Sequence, residues 1–177
     1  MSSLEFTAYT NISFSFLWSD FQNDGTILRD LGTLACTQDL ANGSGNDQAD
    51  QIWHVTKTLA SGGTDAYDLS SLSFQVFNET FPISFSGGQV RQFYVHNLND
   101  VVGADITISC TGVTDFNTPF NNMPFEATIP PKSMFCFPPN FYEGWAVTSG
   151  NFSFRIEDTG GLGSSYEIAV IGTSGVI

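Results

Sequence analysis

Apolar and polar residues alternate along the start of the chain. Polar residues such as Thr7, Asn11 and Ser13 occupy odd positions, and apolar residues occupy most even positions between 4 and 18. The apolar series is Leu4, Phe6, Ala8, Ile12, Phe14, Phe16 and Trp18. A period of two predicts a half-buried strand, or two strands separated near Thr10. After it, residues 20–25 predict a turn, and residues 26–34 predict a short strand or a helical turn.

From residue 51 onward, short segments rich in β-branched and aromatic residues recur between turns. Residues 51–60 predict a strand, a Gly62-Gly63 turn follows, and Tyr67, Leu69 and Leu72 are expected to point inward from the next segment. We interpret these two segments as the first strand pair of a β body. The remaining predicted strands are 74–77, 81–85, 90–98, 104–110, 126–129, 133–137, 144–148, 152–156 and 166–171. Eight or more short strands without a long helical pattern predict an all-β protein, a jelly-roll-like antiparallel β-sandwich.

A polar segment separates the alternating start from this body. Residues 41–50 are rich in Gly, Asn and Asp, which favour loops. We therefore divide the chain into an extended N-terminal arm with its connecting segment, residues 1–45, and a β-sandwich body, residues 46–177. The alternation along the arm would suit pairing with an edge strand of a neighbouring subunit.

Charge narrows the set of partners. The chain has 177 residues with five Lys and Arg against eighteen Asp and Glu, a formal net charge of −13. Nucleic acids and anionic membranes are bound through Lys and Arg, so we expect neither as a partner. No run approaches the ~18 apolar residues of a membrane span. The N-terminus lacks the pattern of a secretory signal, so we expect synthesis inside a cell.

Candidate catalytic and metal-binding residues are few. Cys36, Cys110 and Cys136 have no metal-ligand spacing and are expected to be reduced thiols. Residues 20–31 begin like a calcium-binding loop, but we reject that interpretation because the twelfth position is Leu31 rather than the Glu that such a loop requires. His54 and His96 lie in predicted strands without a neighbouring ligand. We therefore expect no catalytic site, no metal and no cofactor.

Two alternatives remain open from residue chemistry. A carboxylate hydrolase would use pairs drawn from Glu126, Glu143, Glu157 and Asp158, although only residue type supports them. Aromatic residues at Phe141, Tyr142 and Trp145 lie in a loop-like region and form a possible exposed contact surface for a glycan or a protein. The other two tryptophans, at 18 and 53, are expected to pack in the core.

One long segment and the C-terminal strands carry a family resemblance. Residues 47–72, DQADQIWHVTKTLASGGTDAYDLSSL, resemble a segment of small virion proteins of tailed bacteriophages and prophages that are encoded near the major capsid protein. Residues 142–147, 152–158 and 163–172 are similar to the closing strands of those proteins. The resemblance covers residues 46–177, most weakly between 80 and 130, and residues 1–45 depart from it.

The resemblance implies a non-enzymatic capsid decoration, or cement, protein on the virion exterior. Such proteins commonly form homotrimers that bind the major capsid protein where capsomers meet and stabilise the head. Under this hypothesis the arm residues Leu4, Phe6, Ile12, Phe14, Phe16 and Trp18 form inter-subunit contacts, and synthesis takes place in the host cytoplasm. A glycan- or receptor-binding module of a phage spike or fibre is the alternative, without positive support for a glycan from any motif.

Overall fold

The computed structural model describes residues 8–21, 27–76, 79–112, 115–116, 119, 124–137 and 144–175. These residues form strands joined by turns, and no helix among them is long and apolar enough to cross a membrane. The strands are β1 (Ala8–Phe21), β2 (Ile27–Asn42), β3 (Gln48–Ala49), β4 (Gln51–Leu59), β5 (Thr64–Asp68), β6 (Leu72–Val76), β7 (Glu79–Ile83), β8 (Gln89–Asn97), β9 (Ile106–Cys110), β10 (Phe125–Ile129), β11 (Met134–Phe137), β12 (Trp145–Ala146), β13 (Ser153–Asp158) and β14 (Ser164–Thr173).

Two antiparallel sheets pack against each other and confirm the predicted all-β sandwich. One has the order β10-β9-β13-β5, and the other has the order β11-β8-β14-β4, with β12 also pairing with β8. Buried and partly exposed residues alternate along β14, as expected for strands with one face in a core. The core is aromatic: the Phe154 ring lies 5.1 Å from that of Tyr67 and 4.9 Å from that of Phe93.

The sandwich strands pair in a nested order. The first, β4, pairs with the last, β14, and the second, β5, pairs with β13. Inside these, β8 pairs with β11 and β9 pairs with β10. The contacts β8–β14 and β9–β13 then complete the two sheets. A hairpin of β6 and β7 is inserted between β5 and β8.

Three expectations from the sequence were wrong in their pairing or extent. Strands β4 and β5 do not pair with each other; they lie in opposite sheets, because their hydrogen-bonding partners β14 and β13 come from the far end of the chain. Strand β1 is continuous through Thr10, which agrees with the first of its two predicted alternatives, a single strand. Residues 27–42 form one long strand, and the segment 41–50 that we interpreted as a polar loop contains the end of β2 and all of β3.

Candidate functional site

The two longest strands in the described part of the chain form a hairpin outside the sandwich. β1 and β2 pair in fourteen antiparallel residue pairs, from Ala8 with Leu40 to Phe21 with Ile27. At its base β2 pairs in parallel with the two-residue strand β3. Among the described strands, no other strand pairs with the hairpin. The predicted arm is therefore a ribbon of two strands, and β1 pairs with its own chain.

The hairpin register places the even positions of both strands on one face and the odd positions on the other. Even positions pair with even positions, as in Ile12 with Cys36 and Phe14 with Leu34, so they share one face. We call this the even face; it also includes two acidic residues, Asp20 and Asp30, toward the Phe21–Ile27 end of the hairpin. The odd face carries polar residues such as Ser13 and Thr33 together with apolar ones such as Leu17 and Leu31. Four predicted arm residues, Ile12, Phe14, Phe16 and Trp18, occupy the even face, whereas Leu4 and Phe6 lie outside the described residues.

A buried arginine fixes the base of the hairpin to the sandwich. Arg91 of β8 is 1% exposed, and its guanidinium donates from Nη2 to the Gly45 carbonyl (2.8 Å) and from Nε to the Gln48 carbonyl (3.3 Å). Burial lowers the pKa of Arg91, and the nearby Asp47 carboxylate opposes this shift. The guanidinium remains a cation, as arginine does in proteins. It holds two carbonyls of the segment that leads from the hairpin to the body.

Apolar and carboxylate contacts add to this attachment. Leu40, at the base of the even face, is buried with Ala49 against Ile171 of β14. The Asp50 carboxylate accepts hydrogen bonds from the Ser174 amide (2.6 Å) and hydroxyl (2.5 Å). We call residues 43–50 with their contacts to Arg91 and Ser174 the anchor. The anchor makes the point where the arm leaves the body an ordered joint.

Four loops meet at one end of the sandwich and are cross-linked by hydrogen bonds. The buried Asp158 carboxylate accepts from the Gly62 amide (2.8 Å), the Gly163 amide (3.0 Å) and the Ser164 hydroxyl (2.7 Å). Burial raises the pKa of Asp158, but these hydrogen bonds outweigh burial, and the pKa lies below its ordinary value. The ionised carboxylate therefore joins the β4–β5 turn to the β13–β14 turn.

The two remaining loops are tied to these turns through backbone contacts. The Asp105 carbonyl accepts from the amides of Thr159 and Gly160. A side chain at Gly160 would put its Cβ 1.9 Å from the Gly103 carbonyl oxygen, so the loops approach this closely only because the residue is glycine. The Lys132 amide, in the β10–β11 turn, donates to the carbonyl of Asn97. The loop end is thus preorganised.

Exposed apolar side chains concentrate at this loop end. Of the six large hydrophobic residues exposed in the described part of the chain, four lie in these loops or directly after them. They are Val101 (56% exposed), Val102 (94%), Met134 (60%) and Leu162 (58%). We call these four residues the apolar end. Apolar residues displayed on ordered loops are typical of surfaces that bind another protein.

A groove of about 600 Å³ opens between β4, β5 and β6. Its lining includes His54, Lys57 and Phe74, and the His54 ring packs 4.7 Å from that of Phe74. Under it, Tyr166 donates a hydrogen bond to the Asp65 carboxylate and shares one of 2.5 Å with Tyr67. Burial raises the pKa of Tyr67 to about 12 and raises that of Tyr166 as well. Both hydroxyls are neutral near pH 7, which suits a packing role.

The other residues predicted from chemistry are separated in the fold. His54 and His96 lie in β4 and β8, as predicted, and Cys110 and Cys136 are free thiols. Glu126 and Glu157 are exposed, whereas Asp158 is buried in the loop contacts above. Within the described residues, no group of three or more His, Cys, Asp or Glu side chains is placed to hold a metal ion.

The predicted contact surface is only partly described. Trp145 lies in β12, opposite Val90, and is partly buried against the core cluster. Phe141, Tyr142 and the candidate acid Glu143 lie outside the described residues. Trp53 and the inward residues Tyr67, Leu69 and Leu72 are buried as predicted. The Asp65 carboxylate accepts a hydrogen bond from Tyr166 and lies 3.9 Å from the Lys57 ammonium.

Sequence reasoning missed the groups that hold the loops and the anchor in place. Arg91, Asp158 and Asn97 are each at most 3% exposed. The Asn97 amide nitrogen donates to the Ala104 and Ile129 carbonyls and so bridges two loops. One available signal was Arg91, one of only five Lys and Arg residues, within an otherwise alternating strand. A buried arginine is stable at such a position only when its guanidinium has hydrogen-bond acceptors, as Arg91 has in the Gly45 and Gln48 carbonyls.

No protein-family model matches the chain. A search of curated protein sequences also finds no similar one.

Proposed function

We propose that the protein is a structural, non-enzymatic virion component, a decoration or cement protein on the exterior of a tailed-phage head. It binds between capsomers of the major capsid protein as a homotrimer. The observation that carries the proposal is the anchored fourteen-pair hairpin, which extends the chain beyond a closed sandwich. An arm of this kind connects subunits, and a rigid body with a preorganised end can seat on a shell. The resemblance to small virion proteins supports the same assignment.

We infer that the sandwich is a jelly roll. Its four nested antiparallel pairs are the pairs made when a long hairpin of eight strands rolls into two sheets. The cross contacts β8–β14 and β9–β13 are those that such rolling creates. Jelly rolls occur in viral capsid proteins and in lectins, so this topology fits both the cement hypothesis and its alternative. The fold alone does not choose between them.

The apolar end is our candidate for the surface that meets the shell. Its four side chains project from loops that Asp158, Asp105 and Asn97 hold in place, so little ordering is needed on binding. The excess of acidic residues elsewhere disfavours packaged DNA as the partner and is consistent with an exterior position. In this arrangement the end contacts the major capsid protein, and the hairpin is free to reach a neighbour.

Capsid binding by truncated and substituted chains tests the proposal. Particles lacking the protein are mixed with the full chain, with a chain lacking residues 2–39, or with the Val102→Asp, Leu162→Asp double variant, and sedimented. We expect saturable binding of the full chain at hundreds of copies per particle, and weaker binding of both variants. The control is Thr56→Asp with Thr58→Asp, which adds the same charge on exposed residues of β4. Full-chain binding at only a few copies, or equal binding by all four chains, would contradict the cement role.

If the protein is instead a glycan- or receptor-binding module, we propose the groove as its binding site. Its volume suits a ligand of one or two sugar rings, and it combines aromatic side chains with polar groups. A glycan array would test it. Binding that is lost on Phe74→Ala would favour the module at the groove, whereas loss on Trp145→Ala would place the ligand at the sequence-predicted aromatic surface.

A further inference from the structure

We infer that the groove between β4, β5 and β6 binds a neutral sugar by stacking it on an apolar floor and hydrogen-bonding it along a polar rim. The inference rests on the binding site proposed above for the alternative function, and it adds the class of ligand and the groups that hold it. A chain that decorates a capsid can carry this site as well. Its test requires no capsid.

Two buried aromatic residues, Trp53 and Tyr67, form the floor of the groove. Their rings meet edge to face, with centroids 5.2 Å apart. The Trp53 indole N–H donates to the Ser73 carbonyl (3.0 Å). The Tyr67 hydroxyl shares a hydrogen bond of 2.5 Å with that of Tyr166. Because these polar atoms already have partners, a ligand gains mainly apolar and stacking contacts from the floor.

Two further rings form a corner at the side of the groove. The His54 and Phe74 rings lie 4.7 Å apart, with their planes at 58° to each other. His54 is exposed and Phe74 is partly exposed, so a ligand can reach both. The C–H groups on one side of a sugar ring make an apolar face that packs on aromatic rings. The apolar surface of the groove therefore suits the face of a sugar ring.

Polar side chains surround this aromatic surface. Lys57, whose side chain is 46% exposed, can donate to a ligand, and Asp68 can accept. Two hydrogen bonds from Ser70, from its amide (2.7 Å) and its hydroxyl (2.5 Å), reach the Asp68 Oδ1 atom and orient the carboxylate before a ligand arrives. The rim also contains three exposed residues that carry hydroxyls, Thr56, Ser71 and Ser73. A sugar hydroxyl both donates and accepts, so this rim matches the edge of a sugar ring.

Charge favours a neutral sugar over an acidic one. Lys57 and Asp68 are the charged residues that line the groove, and their charges are opposite. The chain around them has a formal net charge of −13, so its field repels an anionic ligand. Lys57 also lies 3.9 Å from the Asp65 carboxylate, which offsets its positive charge. A ligand with a carboxylate therefore gains little here, whereas an uncharged ligand is not repelled.

Lys57 also disfavours an extended peptide in the groove. β4 lies at the edge of its sheet in the described part of the chain, where a peptide would add as a further strand. The Lys57 ammonium lies on the core side of β4, 5.1 Å from the centre of the Tyr67 ring. A charged residue that points inward from an edge strand hinders the addition of another strand. The groove thus fits a compact ring better than a strand.

Titration of the isotope-labelled chain with defined sugars, followed by NMR, tests the inference. The neutral probes are lactose, maltose, cellobiose and N-acetyllactosamine; the competing probes are sialyllactose, which is acidic, and an alternating valine–threonine peptide. We expect at least one neutral probe to shift the amide resonances of residues 53–57 and 71–74 in a saturable way. Phe74→Ala should weaken its binding about tenfold through the lost ring contact. The matched control is Phe81→Ala, which removes the exposed ring opposite Phe74 in the β6–β7 hairpin, outside the groove lining, and should bind like the wild type.

Several outcomes would overturn the inference. Failure of every neutral probe to bind, tighter binding of sialyllactose or of the peptide, or equal losses in Phe74→Ala and Phe81→Ala would each do so. Thermal unfolding checks that the variants are folded, and Phe74→Leu keeps the apolar packing without the ring if Phe74→Ala is unstable. Asp68→Asn should also weaken binding about tenfold, because a charge-assisted hydrogen bond is lost, and unchanged binding would contradict the rim. Sugar binding by a chain that does not bind capsids would refute the cement role alone, and capsid binding by a chain that binds none of the probes would refute only this inference.

Discussion

Replacing Arg91 by Met should release the hairpin from the body while the sandwich stays folded. Arg91 donates two charge-assisted hydrogen bonds to the anchor, and each such bond contributes about 1.5–3 kcal/mol. One of them is long, at 3.3 Å, and Met retains the apolar stem, so we take about 3 kcal/mol for the loss. Residues 44–47 of the anchor are exposed, and water can reach the Gly45 and Gln48 carbonyls once the anchor detaches. We therefore expect the lost stabilisation to cause local opening of the anchor rather than global unfolding of the sandwich.

Hydrogen exchange of the anchor amides measures this opening directly. The amides of Ala41, Gly43 and Asp50 donate to carbonyls within the anchor or to β14, so their protection reports its closure. A loss of about 3 kcal/mol should speed their exchange about a hundredfold, because each 1.4 kcal/mol is a factor of ten. Amides of β9 and β13, inside the sandwich, should keep their rates.

Arg155→Met is the matched control for this experiment. Arg155 lies in β13, in the other sheet from Arg91; its side chain is 46% exposed and lies 3.8 Å from Asp115, so its removal should change stability by no more than about 1 kcal/mol. The anchor amides should exchange at wild-type rates in this variant. Unchanged anchor exchange in Arg91→Met, or the same acceleration in both variants, would refute the role assigned to the buried guanidinium.

Three further expectations follow from the buried polar groups. Asp158→Asn places an amide N–H₂ against backbone N–H donors and should lower the free energy of unfolding by about 2–3 kcal/mol in urea titrations. Because the folded-state pKa of Asp158 is lowered, its contribution is full above the unfolded pKa of about 4 and is lost as pH falls from there through the lower folded-state pKa. The difference in stability between variant and wild type should therefore shrink in acid. Burial raises the pKa of Tyr67 and of Tyr94 to about 12, so absorbance titration should show both ionising at a higher pH than free tyrosine. The stability that these two groups contribute should be complete below about pH 10 and should be lost as pH rises through 12. Burial also raises the pKa of the Cys110 thiol to about 12, so this thiol should react with a disulfide reagent at pH 8 only after denaturation; rapid labelling of the native protein would contradict its burial.

The strands of the sandwich follow from local sequence because the core imposes a period of two. In β13 and β14, buried residues alternate with exposed or partly exposed ones, and the intervening turns contain glycine or asparagine. Each of these signals lies within about ten residues of chain. The same reasoning identified Tyr67, Leu69 and Leu72 as inward residues, since they interrupt a polar segment. Local pattern thus determined which segments are strands.

Pairing partners lie beyond the reach of local pattern. Strand β4 pairs with β14 more than a hundred residues away, whereas β5, its neighbour in sequence, lies in the other sheet. Alternation of apolar and polar residues indicates that a strand has one buried face, but it does not indicate which strand lies beside it. The hairpin shows the same limit. Its even positions were assigned correctly to one face, but the second strand, residues 27–42, alternates less regularly because Gly32, Gln38 and Asp30 share that face.

The anchor links the geometry of the arm to the kind of assembly that the chain can form. A flexible joint would let the arm reach a neighbouring subunit at many angles, and such contacts close into rings no more readily than they extend into open chains. Arg91, Asp50 and the Leu40 cluster instead fix how β2 leaves the sandwich. One fixed exit direction gives one rotation between neighbours, and a single rotation is what selects a closed assembly of defined size. The Arg91→Met chain should therefore still associate through its arm, but as a mixture of sizes, and a single sharp species in sedimentation would show that the anchor does not set the assembly.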